Sequence, residues 1–316
     1  MSAARVVLPT DLVALATFDG RVYSNAAVAR DRLGTGASPH PIGAALEQWF
    51  SFATGRHTWI SVRGATLRGL LSARRRGSRL AWELDCLIDA AEDDPGVLLS
   101  LLDQAVHDAG RAGAEKVFLR LDARSEVLPA VCRAGFMRYL KEELYERAGA
   151  PAVDGGAASR LGLRRRRLED RYPLFQLYNA AVPEPVRRVE AATFREWLAA
   201  QERVPAPRRA SQLVLERGGR LAAWVRVSSD GDTGCFDLLV HPSERRLSDL
   251  LAGALTRLGH SRRLYSLLPE YAEGLGRRLS RMGFRKSGEY ALLVRRTVIP
   301  VKVAELAVAG SKSSLS

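Results

Sequence analysis

Cysteine is scarce in this chain, and the few copies present exclude more than they suggest. Cys86, Cys132 and Cys235 are odd in number and far apart, and none stands in a CxxC pair. Neither a disulfide framework nor a thiolate zinc site fits that pattern, so buried, reduced thiols are expected. Histidine is equally sparse: His40, His57, His107, His241 and His260 show no HxxxH or other ligand spacing, which argues against a metal enzyme. Aromatic residues make up only 7%. The arginine runs (Arg74 to Arg76, Arg164 to Arg167, Arg262 and Arg263) therefore lack the interleaved rings of a base-stacking platform and read as solvated surface rather than as a nucleic-acid site. No stretch approaches the roughly 18 consecutive apolar residues of a membrane span, and Met1 to Thr10 lacks the basic-then-apolar layout of a secretion signal. A cytoplasmic protein without a membrane partner is expected.

What the chain has in quantity is positive charge and apolar surface. Lysine and arginine number 48 against 35 acids, a net charge of +13 that favours phosphates, acidic proteins or an anionic cofactor. With 316 residues, 47% of them hydrophobic, there is material for two cores.

The order of elements occurs twice. Hairpin patterns (Thr58 to Ser72 with Arg79 to Ile88, and Gln212 to Glu216 with Arg220 to Ser228) precede a buried strand in each half. Leu84-Asp85-Cys86-Leu87-Ile88 matches Phe236-Asp237-Leu238-Leu239-Val240, with the aspartate in the same place. Leu98, Leu101, Leu102, Ala105 and Ala109, and Leu247, Leu250, Leu251, Ala254 and Leu258, then form the stripe of a helix packed on a sheet. Asp94-Pro95 and Pro242-Ser243 mark the starts of these helices, and Gly110 and Gly259 their ends. Second strands follow at Lys116 to Leu121 and Arg263 to Leu268, giving right-handed β-α-β crossovers. Each half goes on to a short helix ending in Arg133-Ala134-Gly135-Phe136 or Arg281-Met282-Gly283-Phe284. A final strand closes each copy, Arg138 to Arg147 and Glu289 to Thr297.

Helical segments at Thr10 to Arg32 and Ile42 to Ala53, with a loop from Gly34 to Pro41, precede the first sheet. Leu168 to Ala181 and Ala191 to Gln201, separated by Pro183-Glu184-Pro185, precede the second. The expected division is a first domain at 1–148, a linker rich in Gly, Ala and Pro at 149–159, a second domain at 160–300 and a flexible tail at 301–316.

Strand, helix, strand, short helix, Gly-Phe and strand, after helices and a meander, resembles the GNAT superfamily of acyl-CoA-dependent N-acyltransferases, twice over and across nearly the whole chain. The resemblance implies an α/β fold with a mixed sheet, built as two tandem domains, and acetyl-CoA or another acyl-CoA as cofactor. It also implies transfer of an acetyl group to an amine on a small molecule or peptide. In that family the pantetheine arm lies along the end of the fourth strand, and the pyrophosphate rests on amides at the start of the next helix, where unpaired N–H groups and a positive dipole end meet it. The best local match is Phe236 to Arg245, which looks like the family's strand followed by V-x-P-x-x-R. The implied cofactor contacts are Leu238, Leu239, Val240, Arg245, Arg246, Leu247 and Ser248.

Three departures stand out. The family continues x-x-G-x-G/A after the arginine, where this chain has Ser248 and Leu250. The tyrosine that many members carry four residues before Gly-Phe is replaced by Val131 and Leu279. The first half also puts acids (Asp89, Glu92, Asp93, Asp94) where the family has a basic loop. Catalytic groups are then sought in Asp237, as a base flanking the cleft, with Asp85 and Glu83 of the first half as weaker candidates, and in Tyr290, Tyr271 or water as the acid. Set against this is a plainer reading in which Asp237 pairs with a neighbour such as Arg226. A GNAT-like protein that binds a partner or an anionic ligand without catalysis is the alternative function.

Overall fold

The computed structural model describes residues 4–16, 56–64, 66–76, 80–90, 94–149, 161–201, 209–229 and 232–298. Most of the two N-terminal helical expectations, the loop between them, nearly all of the linker and the tail lie outside these residues. The first half contains β1 (Arg5–Val6), α1 (Leu12–Ala16), β2 (Arg56–Arg63), β3 (Thr66–Arg75), β4 (Ala81–Asp89), α2 (Pro95–Arg111), β5 (Lys116–Asp122), α3 (Leu128–Arg133) and β6 (Met137–Ala148). The second contains β7 (Arg164–Arg165), α4 (Arg171–Ala181), α5 (Glu184–Glu190), α6 (Phe194–Ala199), β8 (Arg209–Arg217), β9 (Arg220–Ser229), β10 (Thr233–Val240), α7 (Leu247–Arg257), β11 (Arg263–Pro269), α8 (Glu273–Arg281) and β12 (Arg285–Arg296).

The predicted stripes bury as their spacing requires. Leu98, Leu101, Leu102, Ala105 and Ala109 of α2 enter one core with Trp59, Leu84 and Leu119, and Leu250, Leu251, Ala254 and Leu255 of α7 enter another with Phe236 and Leu264. After α3 and α8 the chain turns through Gly135 and Gly283 at φ +80 and +83, a conformation open to glycine, and Phe136 and Phe284 return to the cores.

All strands among the described residues join one 12-stranded sheet in the order β1-β2-β3-β4-β5-β12-β6-β11-β10-β9-β8-β7. The expectation that each final strand closes its own copy is corrected here, because the two are exchanged. β12 pairs with β5 of the first half, and β6 pairs with β11 of the second, while β6 and β12 pair with each other along most of their length. The cores follow the exchange: Ala291 and Leu293 of β12 are fully buried in the first, and Tyr145 of β6, 8% exposed, belongs to the second. Tyr145 fits because Gly276 of α8 has no side chain; a Cβ there would lie 2.6 Å from the tyrosine hydroxyl. A leucine or an aromatic ring fully buried in this way contributes roughly 1.5–3 kcal/mol, so each half depends for its core on a strand encoded in the other.

On one face of the sheet lie α2, α3, α7 and α8. On the other, Leu174, Leu177 and Tyr178 of α4, Val186 of α5 and Trp197 of α6 pack against Leu140, Val214, Leu221 and Leu292. The Pro183-Glu184-Pro185 separator proves to be the start of a helix, since proline at the first helical turns removes no needed donor. Of the cysteines only Cys86 is buried; Cys235 is partly covered and Cys132 is exposed, contrary to expectation. No helix among the described residues is long and apolar enough to cross a membrane.

The repeat also reaches further forward than the sequence revealed. Arg5 holds Asp11 through two hydrogen bonds at 2.7 and 2.6 Å while the Leu8 amide donates to the same carboxylate. Arg164, Asp170 and the Arg167 amide reproduce that arrangement at 2.8, 2.7 and 2.6 Å.

Candidate active site

β10 and β11 run parallel and pair only from Thr233↔Arg263 to Cys235↔Tyr265, although β10 continues to Val240 and β11 to Pro269. At the paired end a glycine permits the close approach, for a Cβ on Gly234 would lie 2.7 Å from the Ser261 hydroxyl. The Ser266 hydroxyl then donates to the Phe236 carbonyl at 3.1 Å, and beyond it the strands part. From Asp237 to Val240, β10 is laddered among the described residues to β9 on one edge only. Its other edge offers main-chain N–H and C=O groups to a ligand that can lie along it like a strand. Leu238 and Val240 point toward the core under α7, Leu239 toward α4, and all three are half-buried.

β4 and β5 part in the same way after Leu84↔Leu119. There, however, Asp85, Cys86, Leu87 and Ile88 are all buried, Cys86 and Ile88 against Val7 and Leu15.

The helices that follow these strands differ at their starts. In the first half the Asp94 carboxylate caps α2, accepting from the Gly96 amide at 3.1 Å and from Arg68 at 3.2 Å. A negative charge thus already occupies the anion position. In the second half the predicted start, Pro242-Ser243, is a turn, and α7 begins at Leu247. Nothing caps it: the amides of Leu247, Ser248 and Asp249 make no hydrogen bond to any described residue, and Leu250 is the first to reach back, to the Arg246 carbonyl at 3.2 Å. Three free donors and the positive end of the helix dipole suit an anion. Arg245 and Arg246, both exposed, add charge.

Sequence reasoning overlooked Glu244. Its side chain is 8% exposed and its carboxylate accepts from the Arg246 amide at 2.8 Å, with the Arg246 Nε 3.7 Å away. An acid two residues before an N-cap was the available signal. His241 is a turn residue: its Nδ1 accepts from the Ser243 amide at 3.2 Å and lies 2.7 Å from the Ser243 hydroxyl.

Of the proposed catalytic groups, Asp237 faces Arg226 across β9 and takes its Nε and Nη2 at 2.8 Å each, so the plainer ion-pair reading describes it. Asp85 is bound likewise by Arg56 at 2.6 Å and by the Ser72 hydroxyl at 2.8 Å. The aspartate repeated in both strands therefore neutralises an arginine on the same sheet. Glu83 is buried beside Arg74 at 3.2 Å. The strand exchange carries Tyr290 to a position opposite Asp122 and Glu142, with β6 between it and β11. Its ring packs against the cluster of Leu144, Tyr265 and Leu267 and lies over Gly288 of its own strand, where a Cβ would be 3.1 Å from the hydroxyl, and burial raises that hydroxyl above the ordinary tyrosine range. Tyr271, just past β11, is exposed, and Val131 and Leu279, where an acid was sought, are fully buried.

No protein-family model matches the sequence, and no curated protein matches it. Solved structures do match in fold. A GCN5-related N-acetyltransferase from Sphaerobacter thermophilus aligns over 94% of this chain and 96% of its own, at 15% identity and a TM-score of 0.55. A putative acetyltransferase from Pyrococcus horikoshii aligns over 95% and 91%, at 12% identity and a TM-score of 0.51. The fold is that of the GCN5-related N-acetyltransferases, a mixed α/β architecture repeated along the chain.

Proposed function

We propose that this chain is an acyl-CoA-dependent N-acetyltransferase with one working site, in the second half, and a first half that serves as scaffold. The observation that carries this reading is the uncapped start of α7 standing at the end of a strand whose free edge faces an opening. Acetyl-CoA would lay its pantetheine arm along Leu238, Leu239 and Val240 and its diphosphate on the amides of Leu247, Ser248 and Asp249, with Arg245 and Arg246 beside it. In the transfer, the acceptor nitrogen attacks the thioester carbonyl, the C–N bond forms and the C–S bond breaks. The nitrogen would lose a proton to water, and the departing thiolate would take one from water, because Tyr290 stands two strands away from the opening. Positioning supplies much of the rate, because neither Asp237 nor Asp85 stands free to act as a base. Soluble, cytoplasmic operation on a small-molecule or peptide amine belongs to the same reading.

The alternative, a non-catalytic protein that binds an anionic ligand or partner, is favoured by Glu244, whose carboxylate occupies part of the anion position. Calorimetric titration with acetyl-CoA and with CoA, repeated on Arg245→Ala, separates the two. Binding weakened by the substitution supports the transferase; absence of heat with either ligand supports the alternative.

A further inference from the structure

Tyr178, in the last turns of α4, is 7% exposed, yet its hydroxyl has no hydrogen-bond partner among the described residues. The Nε of Arg187 on α5 is also buried and unmatched, while its Nη1 donates to Asn179 at 2.9 Å. Leaving a buried polar group unpaired costs roughly 1–3 kcal/mol, so two such groups at one corner point to a ligand that completes them.

The corner lies on the face of the sheet to which Leu239 contributes. Tyr178 belongs to the cluster that includes Leu239 of β10, and its electrostatic neighbours include Tyr271, just beyond the end of β11. The charges around its hydroxyl are Arg187 and Arg76 against Glu190 alone. Glu190, the strongest of these charges at the hydroxyl, accepts the Tyr139 hydroxyl at 3.1 Å and lies 3.8 Å from Arg76. Burial keeps the Tyr178 hydroxyl protonated and so a donor.

We propose that Tyr178 and Arg187 form a two-donor seat for an oxyanion of the acyl acceptor, so that the acceptor is an amine that also carries a carboxylate. The inference rests on the acyltransferase reading for the word acceptor, but the seat itself is tested by binding alone. The full chain is mixed, without cofactor, with each common α-amino acid and with the amine left when its carboxylate is removed, and thermal shifts are recorded. CoA release from acetyl-CoA is then measured with the same pairs. At least one amino acid raises Tm, and its decarboxylated twin binds and reacts at least about tenfold less well, the loss of one charge-assisted hydrogen-bond pair.

Tyr178→Phe removes the orphan hydroxyl. It therefore raises the Tm of the free protein while abolishing the ligand-induced shift, a combination that a purely structural tyrosine would not give. Arg187→Gln loses the shift as well. Decarboxylated amines that match their amino acids, no shift with any amino acid, or shifts that survive both substitutions would each overturn the seat. An amino acid that binds without any CoA release leaves the seat standing and removes the transferase reading. CoA release that ignores the carboxylate does the reverse.

Discussion

The Glu244 carboxylate accepts the backbone amide of Arg246 at 2.8 Å, immediately before the three uncapped amides of α7. An acid in that place stabilises the helix dipole and repels a diphosphate. Glu244→Gln should therefore tighten CoA binding by about 3- to 10-fold, the order of a ~1 kcal/mol charge effect at a helix start. Calorimetry at low salt reads the change. Weaker binding in the variant would mean that Glu244 orders the turn for the ligand instead of competing with it.

Arg245 and Arg246 are solvent-exposed, so their attraction for a diphosphate is screened. Arg245→Ala should raise the Kd for acetyl-CoA several-fold near 0.05 M salt and much less near 0.5 M, where the Debye length is only a few ångströms. An effect independent of salt would point to a loss of packing rather than of charge.

The exchange of β6 and β12 makes each core depend on both halves. Residues 1–148 and 161–298 produced separately should lack cooperative unfolding and should recover it when co-expressed. Leu293→Ala, fully buried in the first core although encoded near the end of the chain, should cost about 2–5 kcal/mol of stability. A single half that melts cooperatively by itself would contradict this interlocking.

Lys286 ties the exchanged strands together, reaching Glu143 of β6 and Glu289 of β12 at 2.7 Å each, and Lys141 also holds Glu289 at 2.7 Å. These ammonium groups pull the Glu289 carboxyl down to about 2 and lower that of Glu143. A depressed carboxyl contributes stability that is present above its unfolded pKa, near 4.5, and lost as pH falls toward its folded value. The Tm should fall between about pH 4.5 and 2, and Glu289→Gln should flatten that slope. An identical slope in the variant would assign acid sensitivity to other carboxyls.

Much of this architecture is legible in the residues, because helix and strand periodicity are local properties. The stripes of α2 and α7 and the Gly-Phe returns at Gly135 and Gly283 fall where the pattern puts them. The partner of a strand is not local. Nothing in Arg285 to Arg296 says that it pairs with Lys116 to Asp122 rather than with Arg263 to Pro269, because both choices bury the same alternate residues. For the same reason the position of Tyr290 could not be read. The Asp237–Arg226 pair was legible as the plainer of two readings, since both residues sit on adjacent strands of a meander. Glu244 and the Tyr178–Arg187 corner were not, because an acid near a helix start and a tyrosine in an apolar stripe each have ordinary structural uses.

Acetyl-CoA should engage the start of α7 and not that of α2, and amide hydrogen exchange of the full chain with and without acetyl-CoA reads both at once. Saturating acetyl-CoA should slow exchange at Arg246 to Asp249 and along Leu238 to Val240, and leave Gly96 to Leu98 unchanged. Protection confined to the first half, or none in either, would contradict it.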